Sequence, residues 1–168
     1  MKKLLGFLIL VLSFFKATSQ GIPQWNEFKD PSGFFMLKYP SKWVVNQEES
    51  TVFIFSKQLT DIKGRFYLKN LSDQNTDSAF IANYFNRIKL QNPDAKITVS
   101  SEKQTLSYRQ NIKRDGQDIA RFYWVIQFKN ILFETYYEVP DILIRDQDKS
   151  VKEEMMWVME LLDSIKYL

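Results

Sequence analysis

Apolar and polar residues alternate along much of this chain, and helical spacing interrupts the alternation twice. Residues 34–39 alternate and are β-prone, which predicts a strand, and Pro40 ends it because proline has no amide to donate to a ladder. Ser41, Lys42 and Trp43 predict a turn, with Val44 and Val45 continuing extended. Residues 52–56 and 65–70 predict two further strands, joined through a turn at 61–64. The period then changes. Phe80, Ile81, Tyr84, Phe85 and Ile88 fall on one face of a helix over 78–90. Thr76 or Asp77 can cap its start, and Asn92 with Pro93 stops it. Strand patterns return over 96–102 and 105–113, both polar enough to predict an exposed part of a sheet. Asp115-Gly116 is a hairpin signal, because both residues tolerate positive φ. Residues 118–129 are apolar on both faces: Phe122, Trp124, Ile126 and Phe128 on one, Tyr123 and Val125 on the other. A strand apolar on both sides predicts a central position. Asn130 turns the chain into a last strand over 131–139, stopped by Pro140. Val151, Met155, Val158, Met159, Leu162 and Ile165 then share one face of a C-terminal helix, which Asp148 or Ser150 can cap. Strand runs joined by tight turns, with two helices, predict an α+β fold: an antiparallel β-sheet flanked by helices, in the order βββα then ββββα.

The 168 residues fit one domain. Lys2 and Lys3 precede an apolar run over 4–15, and Ala17 and Ser19 give the small-x-small pattern of a signal peptidase site. A spanning helix needs about 20 apolar residues, so this run is too short for an anchor. The expected organisation is a signal peptide at 1–19, cleaved between Ser19 and Gln20, an irregular lead-in at 20–33, and a single α+β domain at 34–168. Trp25 and Phe28 would tack the lead-in to the body. Export to the periplasm or the exterior follows, with no membrane span left after cleavage.

Charge narrows the function classes. The sequence pI is 8.9, but Lys2, Lys3 and Lys16 all lie in the predicted signal. Without these three, the 23 basic residues become 20 and equal the 20 acidic ones. A neutral mature chain lacks the positive footprint that nucleic acid binding needs. The sequence has no Cys and no His. That removes disulfides, histidine-dependent nucleophile pairs and the usual zinc sites. It also removes the commonest general acid/base. No cofactor and no metal is expected. Phe, Tyr and Trp make up 15% of the chain, enough for a sizeable core at this length.

The run Phe34-Phe35-Met36-Leu37-Lys38-Tyr39-Pro40-Ser41-Lys42-Trp43 resembles the "gf-x-φ-x-YP-x-x-W" opening of the PsbP-like fold, shared with the bacterial DcrB-type envelope lipoproteins. The resemblance covers most of 30–168, including the mid-chain helix and a last helix ending near Leu162-Asp163-Ser164-Ile165-Lys166. It implies an α/β/α sandwich around an antiparallel sheet, in a family of assembly factors, extrinsic subunits and envelope proteins. It implies no chemistry. Members that bind metal use His, the DcrB type carries a lipidated Cys, and this chain has neither.

The candidate site residues are aromatic. Tyr67, Tyr108, Tyr123, Tyr136 and Tyr137 come from several predicted strands and offer area at low entropy cost. They form a binding surface if one sheet face is uncovered, and core if the helices cover it. Trp43 reads as a plug over one end of the core, with a ligand-stacking surface as the functional alternative. The expected interaction surface is therefore Trp43, Tyr67, Tyr108, Tyr123 and Tyr136. Other clusters read as ordinary structure. Asp141, Asp146 and Asp148 do not match the calcium-loop register and read as a solvated loop with a cap. Glu134 and Glu138 read as the solvent face of a strand; at i and i+4 they stand roughly 13 Å apart, too far for a glycosidase pair alone. Met155, Met156 and Met159 read as core rather than an adaptable stripe. Asn70-Leu71-Ser72 is a glycosylation sequon only in a eukaryotic host. The leading expectation is a non-enzymatic exported protein, monomeric or weakly oligomeric, that binds or helps assemble an envelope protein. A module for a small apolar or sugar-like ligand comes second, and a hydrolase built on carboxylates or a Ser/Lys pair third.

Overall fold

Asp115 and Gly116 both adopt positive φ, 50° and 78°, and so close a two-residue hairpin whose right-handed twist matches its strands. This hairpin organises a computed structural model that describes residues 24–56, 64–72 and 76–168. The elements are β1 (Trp25–Lys29), β2 (Phe35–Pro40), β3 (Trp43–Glu48), β4 (Thr51–Ser56), β5 (Arg65–Asn70) and α1 (Ser78–Gln91). There follow β6 (Lys96–Val99), β7 (Gln104–Arg114), β8 (Gln117–Phe128), β9 (Ile131–Pro140), α2 (Asp141–Arg145), α3 (Lys149–Ser164) and β10 (Lys166–Tyr167). A seven-stranded sheet runs in the order β3-β4-β5-β9-β8-β7-β6, and β1-β2-β10 form a second, smaller sheet. Every pairing in both sheets is antiparallel. The α+β class expected from the sequence is the class observed.

The large sheet has two unlike faces, because side chains alternate along each strand. One face is buried across β4, β5 and β9. Val52, Ile54, Phe66, Leu68, Phe133 and Tyr137 pack there against Val158, Leu161 and Leu162 of α3, with Phe35 and Leu37 of β2 completing the cover. Phe35 meets Phe133 edge-on at 5.1 Å between ring centres. The other face is only partly covered. Ile81, Phe85 and Ile88 of α1 sit over Leu106, Val125 and Leu132, and among the described residues no other helix packs on this face. The sandwich is thus closed on one side and half open on the other. Asp77 caps α1, accepting the Phe80 amide at 2.7 Å. Asn92 ends it, its amide and its side chain both returning to the Ile88 carbonyl.

Three expectations are corrected. The lead-in is not irregular throughout: Trp25–Lys29 pairs with β2, from Trp25 opposite Pro40 to Lys29 opposite Met36. Polar Asn26, Glu27 and Lys29 hide this edge strand from a periodicity reading, and only Trp25 and Phe28 pack on the core. The last helix buries Val151, Glu154, Val158, Leu161 and Leu162, whereas Met156 and Met159 remain 64% and 46% exposed. The stripe is set by Ile165 and Val151 at its ends, which leaves Met159 off the seam. Asp141 is not part of a solvated loop. It is buried and held by Arg109 and, at 2.9 Å, by Arg145. Asp148 does cap α3, accepting from the amides of Ser150 and Val151. The predicted signal at 1–19 and residues 20–23 lie outside the described residues.

One close approach constrains the buried face. Gly64, just before β5, lies so near the Tyr137 ring that an added Cβ would fall 2.0 Å from its hydroxyl oxygen. That hydroxyl donates to Glu154 at 2.8 Å in the interior. Gly64→Ala must therefore push a fixed, hydrogen-bonded ring. It is expected to cost about 1–3 kcal/mol by overpacking, read as a lower urea midpoint with an unchanged slope. An unaltered midpoint would show that the strand start yields freely.

Candidate functional site

The register of five strands builds one row of aromatic rings on the half-open face. Phe53 lies opposite Tyr67, Tyr67 opposite Tyr136, Tyr136 opposite Tyr123, and Tyr123 opposite Tyr108. The row crosses β4, β5, β9, β8 and β7, and all five residues are half-buried. Directly opposed side chains on neighbouring strands stand close enough to touch, and these do. Tyr67 and Tyr136 stack at 4.4 Å, and Tyr108 and Tyr123 stack at 4.6 Å within 5° of parallel. Tyr123 and Tyr136 tilt together at 5.6 Å, and Phe53 meets Tyr67 edge-on at 5.1 Å.

Charged groups flank the row on one side. Glu138 of β9 is 5% exposed and accepts from Arg114 at 3.0 Å and from Arg121 at 2.8 Å. Tyr67 donates to it at 3.4 Å. Burial alone would raise its carboxyl, but hydrogen bonds from Arg114 and Arg121, reinforced by their charges, hold it below the ordinary value of 4.5. Arg121 also lies over the Tyr136 ring at 4.4 Å and donates to the Tyr123 hydroxyl at 3.0 Å. Its guanidinium thus locks two rings of the row and the carboxylate together. On the other side, Tyr84 of α1 donates to Glu134. Burial above all pushes the Tyr136 hydroxyl up to about 12. Burial likewise raises Tyr84 and Tyr108, with Glu134 adding to both. These three tyrosines are neutral donors and acceptors at physiological pH.

Four of the five residues expected at the surface are therefore joined: Tyr67, Tyr108, Tyr123 and Tyr136. Trp43 is not among them. It is 4% exposed, lies on the closed face and packs edge-on to Trp157 at 6.1 Å, so it plugs the core. Tyr137 points to the closed face as well and is fully buried. Glu134 and Glu138 are not a solvent face, since each is engaged by neighbouring side chains. Sequence reasoning missed Phe53 and Arg121. Arg121 carries a visible signal: it stands two residues before Tyr123, on the same face of the same strand.

The carboxylate–arginine cluster predicts a pH dependence. A carboxyl whose folded value is depressed adds stability above its unfolded value, and that stability is lost as pH falls through the folded value. Wild-type protein should lose stability below about pH 4.5 for this reason. Glu138→Gln should lack that share of the acid loss. At pH 7 it should cost about 2 kcal/mol, because Arg121 is left poorly compensated in a mostly buried position. Urea unfolding at pH 7 and pH 3 checks both. Equal acid losses in the two proteins would contradict the assignment.

The chain matches the model of a domain of unknown function, DUF3805, over residues 23–165. It belongs to the DUF3805 family. This DUF3805 domain is similar in structure to a crystal structure from Bacteroides thetaiotaomicron VPI-5482, at 17% identity and a TM-score of 0.65, over 86% of this chain and 49% of that one. The chain therefore spans about half the length of that relative. The cyanobacterial PsbP (CyanoP) of Synechocystis sp. PCC 6803 matches at 12% identity and a TM-score of 0.38, over 89% of this chain and 96% of that one. The protein PA94 of Pseudomonas aeruginosa matches at 14% and 0.40, over 79% and 94%. No curated protein matches in sequence.

Proposed function

We propose that this domain is an exported, non-enzymatic binding protein whose tyrosine row docks a protein of the cell envelope. The carrying observation is the row itself: five half-buried rings in register on the half-open face of the sheet, with Tyr108 at the end that packs against the α1 cluster. Tyrosine gives large contact area with few torsions to immobilise, and it is enriched where proteins meet. Two details favour a flat macromolecular partner over a small ligand lying on the row. The inner ring faces are already spent on one another and on Arg121. What the row offers outward is ring edges and hydroxyls, and those of Tyr108 and Tyr136 make no hydrogen bond within the described residues.

The hydrolase reading loses support on the same geometry. Glu138 is held ionised by two arginines and cannot serve as a proton donor near neutral pH. Glu134 is taken up by Tyr84. The likeness of Tyr39-Pro40 and Trp43 to the opening of PsbP-like and DcrB-type envelope proteins points toward an assembly role, but it assigns no residue.

Two measurements test the proposal. N-terminal sequencing of protein recovered from the host's envelope or medium should read Gln20 first, and recovery of uncleaved chain in the cytoplasm would contradict export. A photo-crosslinking side chain placed at Tyr136 in living cells should capture one defined envelope protein. The same group at exposed Met156, on the opposite side of the molecule, should not. Equal capture at both positions, or none at Tyr136, would sink the docking face.

A further inference from the structure

Beside the tyrosine row, one side-chain step toward the Asp115-Gly116 hairpin, the open face carries charge. Glu138 lies directly opposite Arg121 on β8 and Arg65 on β5, so the carboxylate stands between two arginines of the ladder. Arg114 reaches it from the end of β7. The registers put the side chains of Arg65, Arg114, Gln117, Ile119, Glu138 and Pro140 on this one face. They line a pocket of about 230 Å³ at the hairpin end of the sheet.

One carboxylate cannot satisfy three guanidiniums. Both terminal nitrogens of Arg114, two nitrogens of Arg121 and the Tyr67 hydroxyl donate to Glu138. Those five donors meet a group with about four lone-pair sites. Nothing remains for Arg65. It is exposed, lines the pocket and makes no hydrogen bond or ion pair among the described residues. Arg114, its side chain 39% exposed, keeps N–H groups that Glu138 does not use. Charge is unbalanced as well. Three guanidiniums meet two carboxylates, Glu138 and Asp115 at the rim, which leaves one positive charge.

We infer that this pocket seats the carboxylate of an aspartate or glutamate side chain on the envelope protein that docks along the tyrosine row. This occupant presupposes the docking face proposed above. A guanidinium fork matches a carboxylate with two parallel bonds. A single surplus charge suits a monoanion, and Asp115 at the rim opposes a doubly charged phosphate. Size selects a side chain over a free ligand, because small-molecule sites usually run to roughly 300–1,000 Å³ and this pocket is smaller. Ile119 and Pro140 give it apolar wall, which strengthens an ion pair formed against them. Arg65 and Tyr67 are two residues apart on one strand, as are Glu138 and Tyr136, a spacing of about 7 Å. A partner can therefore lay apolar surface on the rings and an acid in the pocket at once.

The test keeps the photo-crosslinking side chain at Tyr136 and adds single substitutions to the full chain. Arg65→Ala should cut capture of the partner about tenfold, the order of one lost charge-assisted contact, with an unchanged urea midpoint. Arg65→Lys, which keeps the charge and loses the fork, should fall between. Lys113→Ala removes the same charge from the opposite face and should leave capture intact. Mass spectrometry of the crosslinked peptide should show an Asp or Glu within about three residues of the attachment point, given the strand spacing. Changing that acid to Lys should restore capture by Arg65→Glu. Full capture by Arg65→Ala, a lowered urea midpoint in that variant, no acid beside the crosslink, or no rescue by the swap would overturn the inference and leave the docking face standing. No capture at Tyr136 in the otherwise unaltered chain would sink the docking face and this pocket's occupant together.

Discussion

The ladder between β8 and β9 is the constraint on which the rest of the molecule depends. Ten residue pairs run from Ile119 opposite Pro140 to Phe128 opposite Ile131, and the Thr135 hydroxyl donates to the Trp124 carbonyl at 3.1 Å in the buried centre. Side chains alternate with a period of two, so a slip of one residue would exchange the faces completely. The correct register sends Phe133 and Tyr137 under α3 and puts Tyr136 beside Tyr123 on the open side. Core and candidate site are thus specified by the same hydrogen bonds.

That coupling explains why the open face holds its shape without a helix over it. Each ring of the row is backed by a ring on the next strand, and Arg121 bridges the row to Glu138. The cost of holding arginines and a carboxylate out of water is offset by their mutual bonds, which leaves a surface that is both ordered and amphipathic. A preordered surface loses less entropy on binding. The incomplete cover by α1 is equally specific: its three buried side chains pack with Leu106, Val125 and Leu132, and of the row Tyr108 joins that cluster.

Much of this was legible in the residues. Counting back from the Asp115-Gly116 turn places Tyr108 opposite Tyr123, and counting back from the Lys129-Asn130 turn places Tyr123 opposite Tyr136. Local hairpins therefore disclose three members of the row. Tyr67 and Phe53 join it only through the pairing of β5 with β9, between residues about seventy apart in sequence, which no local pattern encodes. Trp43 and Tyr137 could not be told from surface aromatics by type, since burial was decided by which face α3 covers. Strand β1 was hidden because its pairing with β2, not an apolar stripe, makes it a strand. The depth of Glu138 was hidden for a similar reason: its two arginines stand far from it in sequence.

The central claim is that the tyrosine row is carried by the sheet but is not part of its core. The unfolding free energy of single Tyr67→Thr, Tyr123→Thr and Tyr136→Thr variants tests this most directly. Threonine keeps the strand propensity, so the loss reads the ring alone. The account predicts about 0.2–1 kcal/mol for each, the scale of a cross-strand pair. Losses of about 3–5 kcal/mol, the scale of a core aromatic, would contradict it and make the row structural.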